Sequence, residues 1–125
     1  MLANKYVFIE NIGLGAFGTI FKGQHRKTGE YVAIKVEPIH SETRLLKNET
    51  KVYQYLRDKK CVGIPHVKWY GCDSVNFYMV VDLLGESLEA RRKRLGPFSI
   101  EDTLKYGKQM VERLKCLHSC GLVHR

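Results

Sequence analysis

The chain has 125 residues, of which 44% are hydrophobic and 27% are charged, a composition typical of one globular domain or of part of one. It has no run of about 18 apolar residues, which excludes a membrane-spanning helix. The net charge of +8 is compatible with nucleic acid, acidic membranes or acidic substrates and does not choose among them. Glu10 interrupts the N-terminal segment before a secretory signal could form, so we expect an intracellular protein, cytoplasmic, nuclear or both.

Strand and helix patterns alternate along the first part of the chain, and helical patterns alone follow. The predicted strands cover residues 6–12, 19–24, 31–37, 67–70 and 77–83, and the predicted helices cover residues 43–56, 87–94 and 99–119. Strands joined by short turns pair antiparallel, so we expect an α+β fold with one antiparallel sheet of five strands. Gly96-Pro97 interrupts the helical part and is a candidate sub-domain boundary.

The densest basic cluster is Arg91-Arg92-Lys93-Arg94, within a predicted helix. A solvated helix end explains it better than a nucleic-acid patch, because no recognition motif accompanies it. We therefore expect neither a specific nucleic acid nor a membrane as a partner.

The chain has four cysteines, none of them in a Cys-x-x-Cys pair: Cys61, Cys72, Cys116 and Cys120. Without a secretory signal, free thiols are the expected state. Cys116 and Cys120 lie close in sequence to His118 and His124, which suggests zinc, but their spacing fits no common structural zinc pattern. We therefore predict no metal ligand in this chain.

The segment Gly13–Ile20 contains the pattern Gly-x-Gly-x-x-Gly. By itself the pattern is weak evidence, because a plain hairpin turn explains it equally well. A strand follows it rather than a helix, which excludes a dinucleotide-binding unit, and no Gly-Lys-Ser/Thr follows, which excludes a Walker A loop. Between two strands, such a loop brings backbone N–H groups close to a polyphosphate.

The predicted third strand contains Lys35 between apolar neighbours. A lysine on a buried strand is unfavourable unless it is paired, although on an edge strand it could extend to solvent. The next helix carries Glu49 on its apolar side. We therefore predict that Glu49 faces Lys35, whose ammonium could still contact two phosphates.

These segments resemble protein kinases, and the casein kinase 1 family in particular. Residues 63–71, Gly-Ile-Pro-His-Val-Lys-Trp-Tyr-Gly, are similar to a segment peculiar to that family; residues 82–89 resemble its hinge, and residues 49–53 its αC helix. The resemblance implies a kinase N-lobe with hinge in residues 1–85, formed by the five-stranded sheet and αC. Residues 86–125 would then be the first helices of a truncated helical lobe.

The resemblance implies ATP as the cofactor, with Lys35 and Glu49 as the catalytic residues present. The implied ATP-binding residues are Ile12, Gly13, Gly15, Gly18, Ile20, Ala33, Lys35, Val81, Asp82 and Leu84. The glycines would cover the phosphates, and the aliphatic residues would line the upper face of the adenine. Lys35 would hold the α- and β-phosphates, Val81 would be the gatekeeper, and the backbone of Asp82 and Leu84 would bind the adenine edge.

Three positions depart from the family pattern, which usually has Met at Val81, Glu at Asp82 and Pro at Glu86. Because Asp82 is expected to contribute mainly its backbone, its replacement should change little. Val81 is smaller than Met and should widen the back of the adenine pocket.

The 125 residues finish with His124-Arg125, whereas the kinase catalytic loop continues with an Asp and later an Asn. The Asp-Phe-Gly that binds magnesium is also absent, so magnesium is expected for the full-length family but its ligands are not here. The resemblance implies phosphoryl transfer from ATP to Ser or Thr of acidic or phosphorylated proteins, with these residues inactive alone. The alternative is a non-catalytic nucleotide-binding or interaction module. The apolar stripe of helix 99–119 suggests self-association.

Overall fold

The computed structural model describes residues 1–15, 18–42 and 44–125. Its strands are β1 (Tyr6–Gly15), β2 (Gly18–His25), β3 (Tyr31–Pro38), β4 (Val67–Cys72) and β5 (Asn76–Asp82), and its helices are α1 (Leu45–Asp58), α2 (Leu88–Leu95) and α3 (Ile100–Ser119). The predicted α+β fold is confirmed, and the predicted bounds shift by at most three residues. Ala16 and Phe17 of the predicted glycine turn, and Thr43 of the predicted first helix, lie outside the described residues.

The five strands form one antiparallel sheet in the order β1-β2-β3-β5-β4. Successive side chains of β3 point to opposite faces. Val32 and Ile34, both fully buried, pack on one face with Tyr6 and Val80. The other face is covered by a second cluster, composed of Ala33, Leu46, Met79 and Val81. Since β3 is buried on both faces, its position in the sheet is strongly fixed.

Polar bonds as well as apolar contacts attach the start of α1 to the sheet. Glu37 of β3 is fully buried, and its Oε2 accepts a hydrogen bond from the Leu46 N–H at 3.2 Å. Thr50 is also buried; its hydroxyl donates to the Leu46 carbonyl at 2.8 Å and lies 2.9 Å from Met79 Sδ. The apolar side of this helix was predicted from its hydrophobic residues, so the burial of Thr50 was not expected.

The chain divides into two compact units. The first contains residues 1–55 and 65–84, with the sheet and most of α1, and the second contains residues 56–64 and 85–125. The predicted sub-domain boundary at Gly96-Pro97 is therefore wrong. Helices α2 and α3 belong to one unit because Arg91 of α2 hydrogen-bonds the Tyr106 hydroxyl and the Asp102 carboxylate of α3.

Helices α2 and α3 both begin at a serine cap. The Ser87 Oγ accepts from the Ala90 N–H at 3.0 Å, and the predicted cap Ser99 accepts from the Asp102 N–H at 3.1 Å. Helix α2 has no buried residue, and the arginines of its basic cluster pair with carboxylates, as in Arg92–Glu89. This agrees with the predicted solvated helix end. In the described part of the chain, no helix has the length and apolar character needed to cross a membrane.

One cysteine pair corrects the expectation of free thiols. Cys61 and Cys116 are joined by a disulfide, with their Cα atoms 6.3 Å apart. They are 55 residues apart in sequence, and only the folding of the segment after α1 against α3 brings them together. Cys72, on β4, is exposed.

The backbone at Gly18 generates a prediction about stability. Gly18 has φ +150°, and a Cβ added there would lie 2.2 Å from the Val36 carbonyl oxygen, whereas a Cβ added at Gly13 meets nothing within 4 Å. We expect Gly18→Ala to lower the free energy of unfolding by about 1–3 kcal/mol, because the β2–β3 pairing must shift. Gly13→Ala is the matched control and should change it by less than about 0.5 kcal/mol. Urea unfolding measures both, and equal stabilities would contradict this account.

Candidate functional site

The predicted partner of Lys35 is in place. Lys35 on β3 and Glu49 on α1 form an ion pair, with Nζ 2.5 Å from Oε1. Their side chains are 17% and 21% exposed, so the pair is largely desolvated yet still reachable from solvent. A charged pair of this kind beside buried apolar side chains is where an anionic ligand can bind an ammonium without opening the core.

Tyr53 lies one helical turn after Glu49 and completes the surroundings of the ion pair. The Lys35 Nζ lies 5.9 Å from the centre of the Tyr53 ring, within range of a cation–π contact. Burial, together with the charge of Glu49 and a hydrogen bond to it, raises the pKa of Tyr53 to about 12. The phenol therefore remains neutral at physiological pH and adds no charge to the site. The sequence analysis did not select Tyr53, although its spacing from Glu49 would have placed it there.

An apolar surface adjoins the ammonium on the same face of the sheet. Ile20 lies directly opposite Lys35 in the β2–β3 register, and Ala33 lies opposite Val81 in the β3–β5 register. Ala33 and Val81 are buried, whereas Ile12 near the end of β1 is 46% exposed. The arrangement combines a cation with an apolar wall, which fits a ligand with phosphates and a flat base.

The three glycines of the motif differ in whether the sheet has room for a side chain at their positions. Gly13 lies opposite Ile20, and Gly15 lies opposite Gly18, at the end of the β1–β2 hairpin. Gly18 must be glycine for the sheet itself, because a side chain there would meet the β3 backbone. The Gly13 N–H donates to Asn11 Oδ1 at 3.0 Å, so a phosphate that used this donor would have to displace Asn11. This hydrogen bond from Gly13 to Asn11 was not predicted from the sequence.

The side chain of Asp82 has a larger structural role than the sequence analysis predicted. Its carboxylate accepts from the His66 N–H at 2.9 Å and lies 3.4 Å from Lys68 Nζ, which also pairs with Glu30 at 2.7 Å. Burial acts to raise the pKa of Asp82, but the bonds from His66 and Lys68 outweigh it and hold the pKa below its usual value. Asp82 thus ties the end of β5 to the start of β4.

The backbone of the predicted hinge is partly used within the protein. The Asp82 N–H donates to the His66 carbonyl at 3.2 Å, so a contact between Asp82 and adenine falls to its carbonyl oxygen. Leu84, two residues on, is 68% exposed. Its backbone is therefore at an accessible position next to the buried Val81 wall.

Comparison with known proteins identifies relatives along the whole chain. The protein kinase domain matches residues 6–125. A probable serine/threonine-protein kinase of Dictyostelium discoideum is 39% identical over 130 residues, which cover 100% of this chain and 25% of that protein. Casein kinase I homolog 3 of Saccharomyces cerevisiae is 36% identical over 138 residues, which cover 96% of this chain and 26% of that protein. The chain spans about a quarter of the length of these relatives.

The matched region begins at the first residue of β1 and contains every strand and helix described above, so the chain belongs to the protein kinase family. Within that family it is similar to casein kinase 1, as residues 63–71 indicated, and it corresponds to the N-terminal region of such a kinase.

Protein kinase domains use ATP and magnesium. The ammonium of Lys35, the open side of Gly13 and the Ala33–Val81 wall fit the phosphates and the base of ATP. Within residues 1–15, 18–42 and 44–125, the one group of three or more His, Cys, Asp or Glu side chains that could hold a metal ion consists of three cysteines. Sulfur ligands do not suit magnesium, which prefers oxygen.

The raised pKa of Tyr53 predicts how stability changes in alkaline solution. Below about pH 10, the folded and unfolded states both keep the Tyr53 proton. Between about pH 10 and 12 the unfolded state releases it and the folded state retains it, so the free energy of unfolding falls as pH rises. The slope from this residue is at most about 1.4 kcal/mol per pH unit. Urea unfolding from pH 9 upward should show a shallower decline for Tyr53→Phe; parallel curves would contradict the shift.

Proposed function

We propose that this chain is the ATP-binding portion of a casein kinase 1-like serine/threonine protein kinase. The observation that carries the proposal is the Lys35–Glu49 ion pair, which lies on the face of the sheet that also presents Ala33 and Val81. The pair supplies a positioned cation for phosphate, and the two buried side chains supply an apolar wall for adenine.

Each group would contribute by binding and orientation. Lys35 would donate charge-assisted hydrogen bonds to the α- and β-phosphates, and Glu49 would hold the ammonium in position. The backbone of Gly13, Gly15 and Gly18 would approach the phosphates from β1 and β2. The carbonyl of Asp82 and the N–H of Leu84 would fix the direction of the adenine edge, since apolar burial alone gives no direction.

The activity belongs to the parent protein, of which these residues would be the nucleotide-binding part. That kinase would transfer the γ-phosphoryl group of ATP to Ser or Thr of acidic or already phosphorylated proteins. The similarity of residues 63–71 to the segment peculiar to casein kinase 1, and the 36% identity to a yeast casein kinase I homolog, support this substrate class. The proposal includes an intracellular location, in the cytoplasm, the nucleus or both, where ATP is supplied.

Nucleotide binding tests the role given to Lys35. We expect Lys35→Met to weaken the affinity for ATP with magnesium by about ten- to a hundredfold, because it removes charge-assisted hydrogen bonds but keeps a similar apolar stem. Isothermal titration calorimetry measures the affinity, and circular dichroism checks that each variant is folded.

The matched control is Lys51→Met, which removes the same charge from an exposed position on α1. We expect it to bind ATP as the original chain does. Equal affinities for the original chain and a folded Lys35→Met would refute the assignment of Lys35 and with it the proposed site.

We further propose that these 125 residues alone do not catalyse phosphoryl transfer. The base and the metal ligands of the kinase reaction are not among them, and binding the ground state of ATP does not stabilise the charge of the transition state. A radiolabelled ATP assay with casein should give no transfer above a buffer control, while a chain extended through the catalytic loop and the magnesium motif should be active. Steady transfer by the 125 residues, abolished by Lys35→Met, would contradict this expectation.

A specific observation favours the alternative role as an interaction module. The stripe of α3 predicted to be apolar is exposed in the described structure, with Val111 65% and Leu114 39% exposed. An exposed stripe of this kind favours self-association. We expect sedimentation velocity to show dimers or larger species that Val111→Glu with Leu114→Glu converts to monomers. Lys105→Glu, on the opposite side of α3, is the charge-matched control and should leave them intact; a monomeric original chain would exclude this role.

A further inference from the structure

Three cysteine side chains meet in the second unit, although they come from two parts of the chain. Cys61 follows α1, Cys116 lies near the end of α3, and Cys120 is the C-cap of that helix. Their Sγ atoms all lie within 4.8 Å of one another, and all three residues are partly buried. Cys61 and Cys116 form the disulfide, and Cys120 Sγ lies 3.8 Å from Cys61 Sγ.

Contacts other than the sulfur atoms hold this arrangement. Cys116 and Cys120 are four residues apart and therefore share one side of the helix end, where the Cys120 N–H donates to the Cys116 carbonyl at 3.2 Å. Arg113 of α3 donates from its guanidinium to the Val62 carbonyl at 2.5 Å, next to Cys61 in sequence. A Cβ added at Gly63 would lie 2.7 Å from Arg113 Cδ, so the segment after α1 lies close against α3. These contacts join the two segments in addition to the disulfide.

The spacing of the sulfur atoms matches that of thiolates around a tetrahedral metal ion. Zinc binds cysteine at about 2.3 Å, which places two sulfur ligands about 3.8 Å apart. This is the separation of Cys61 and Cys120 in the structure. When the disulfide is reduced, Cys61 and Cys116 no longer share a bond and rotation of their side chains can separate the sulfur atoms to the same distance, while the hydrogen bond from Arg113 to Val62 still joins the two segments.

We propose that Cys61, Cys116 and Cys120, in their reduced form, bind one zinc ion or another thiophilic divalent cation, and that the Cys61–Cys116 disulfide is the oxidised state of the same site. A dithiol reductant supplies the two electrons that break the S–S bond, and the thiols lose their protons to solvent when they bind the ion. Water completes the four-coordinate geometry. Three thiolates and one divalent ion leave a net charge of −1, and a lysine precedes two of the three cysteines in sequence, Lys60 before Cys61 and Lys115 before Cys116.

The triangular arrangement argues against simple disulfide exchange as the use of Cys120. A thiolate attacks a disulfide along the axis of the S–S bond, which would place Cys120 Sγ about 6 Å from Cys116 Sγ. The three sulfur atoms instead lie within 4.8 Å of one another. Three sulfur atoms in a compact triangle fit a shared metal ion better than they fit the linear geometry of thiol–disulfide exchange. Cys116 and Cys120 are already close in sequence, whereas Cys61 joins them only in the fold.

Cobalt titration of the reduced 125-residue chain tests the proposal. We expect one equivalent of Co²⁺ to produce a thiolate-to-cobalt charge-transfer band that zinc abolishes by displacement, and no such band while the disulfide is intact. Cys61→Ser, Cys116→Ser and Cys120→Ser should each weaken binding by at least about tenfold. Cys72→Ser is the matched control, because Cys72 is exposed on β4, and it should bind as the original chain does. An unchanged cobalt affinity in Cys120→Ser, or a band lost in Cys72→Ser, would overturn the site.

A second measurement needs no variant and therefore does not depend on whether variants fold. The reduced original chain is alkylated with and without zinc, and each cysteine-containing peptide is analysed by mass spectrometry. We expect zinc to protect Cys61, Cys116 and Cys120 while Cys72 reacts at the same rate in both samples. Equal alkylation of all four cysteines with and without zinc would refute the proposal. The measurement uses neither ATP nor Lys35, so its outcome is separate from the test of the proposed ATP site.

Discussion

The ion pair between Lys35 and Glu49 is the interaction on which the arrangement of the first unit depends. Both side chains are largely removed from solvent, and leaving either charge there without the other would be unfavourable by several kcal/mol. The helix can therefore occupy only positions in which Glu49 reaches β3. Tyr53 reinforces this limit, because its ring lies beside the ammonium and its phenol is hydrogen-bonded to Glu49.

Two hydrogen bonds join strand β3 to helix α1. The strand donates in one of them, and the helix donates in the other. Lys35 of the strand donates to Glu49 of the helix, whereas Glu37 of the strand accepts from the Leu46 N–H in the first turn of the helix. Lys35 and Glu37 are two residues apart and share one face of the strand, and Leu46 and Glu49 are three residues apart and share one side of the helix. One contact would leave α1 able to rotate about it; two contacts fix its rotation.

Local patterns predicted the elements and the pairing of Lys35 with Glu49, because the alternation in β3, the turn residues and the helical spacing of Glu49 are all visible within short windows. The missed features depend on contacts between distant segments. The residues around Glu37 do not indicate that its carboxylate would be buried beneath α1. The residues around Cys61 do not indicate that this cysteine would contact α3. The family resemblance predicts that Asp82 contributes mainly its backbone, and its side-chain partners, His66 just before β4 and Lys68 on β4, are distant in sequence.

The packing on both faces of β3 explains why the side chains of the candidate ATP site have fixed positions. Ile34 is fully buried on one face, and Lys35, the next residue, meets Glu49 on the other. A shift of one residue in the pairing of β3 would exchange these side chains, placing an ammonium in the apolar cluster around Val80 and leaving Glu49 without its cation. That register is unfavourable because it would leave two charges without partners. The geometry proposed to hold ATP is therefore fixed by the apolar packing on the opposite face of the sheet.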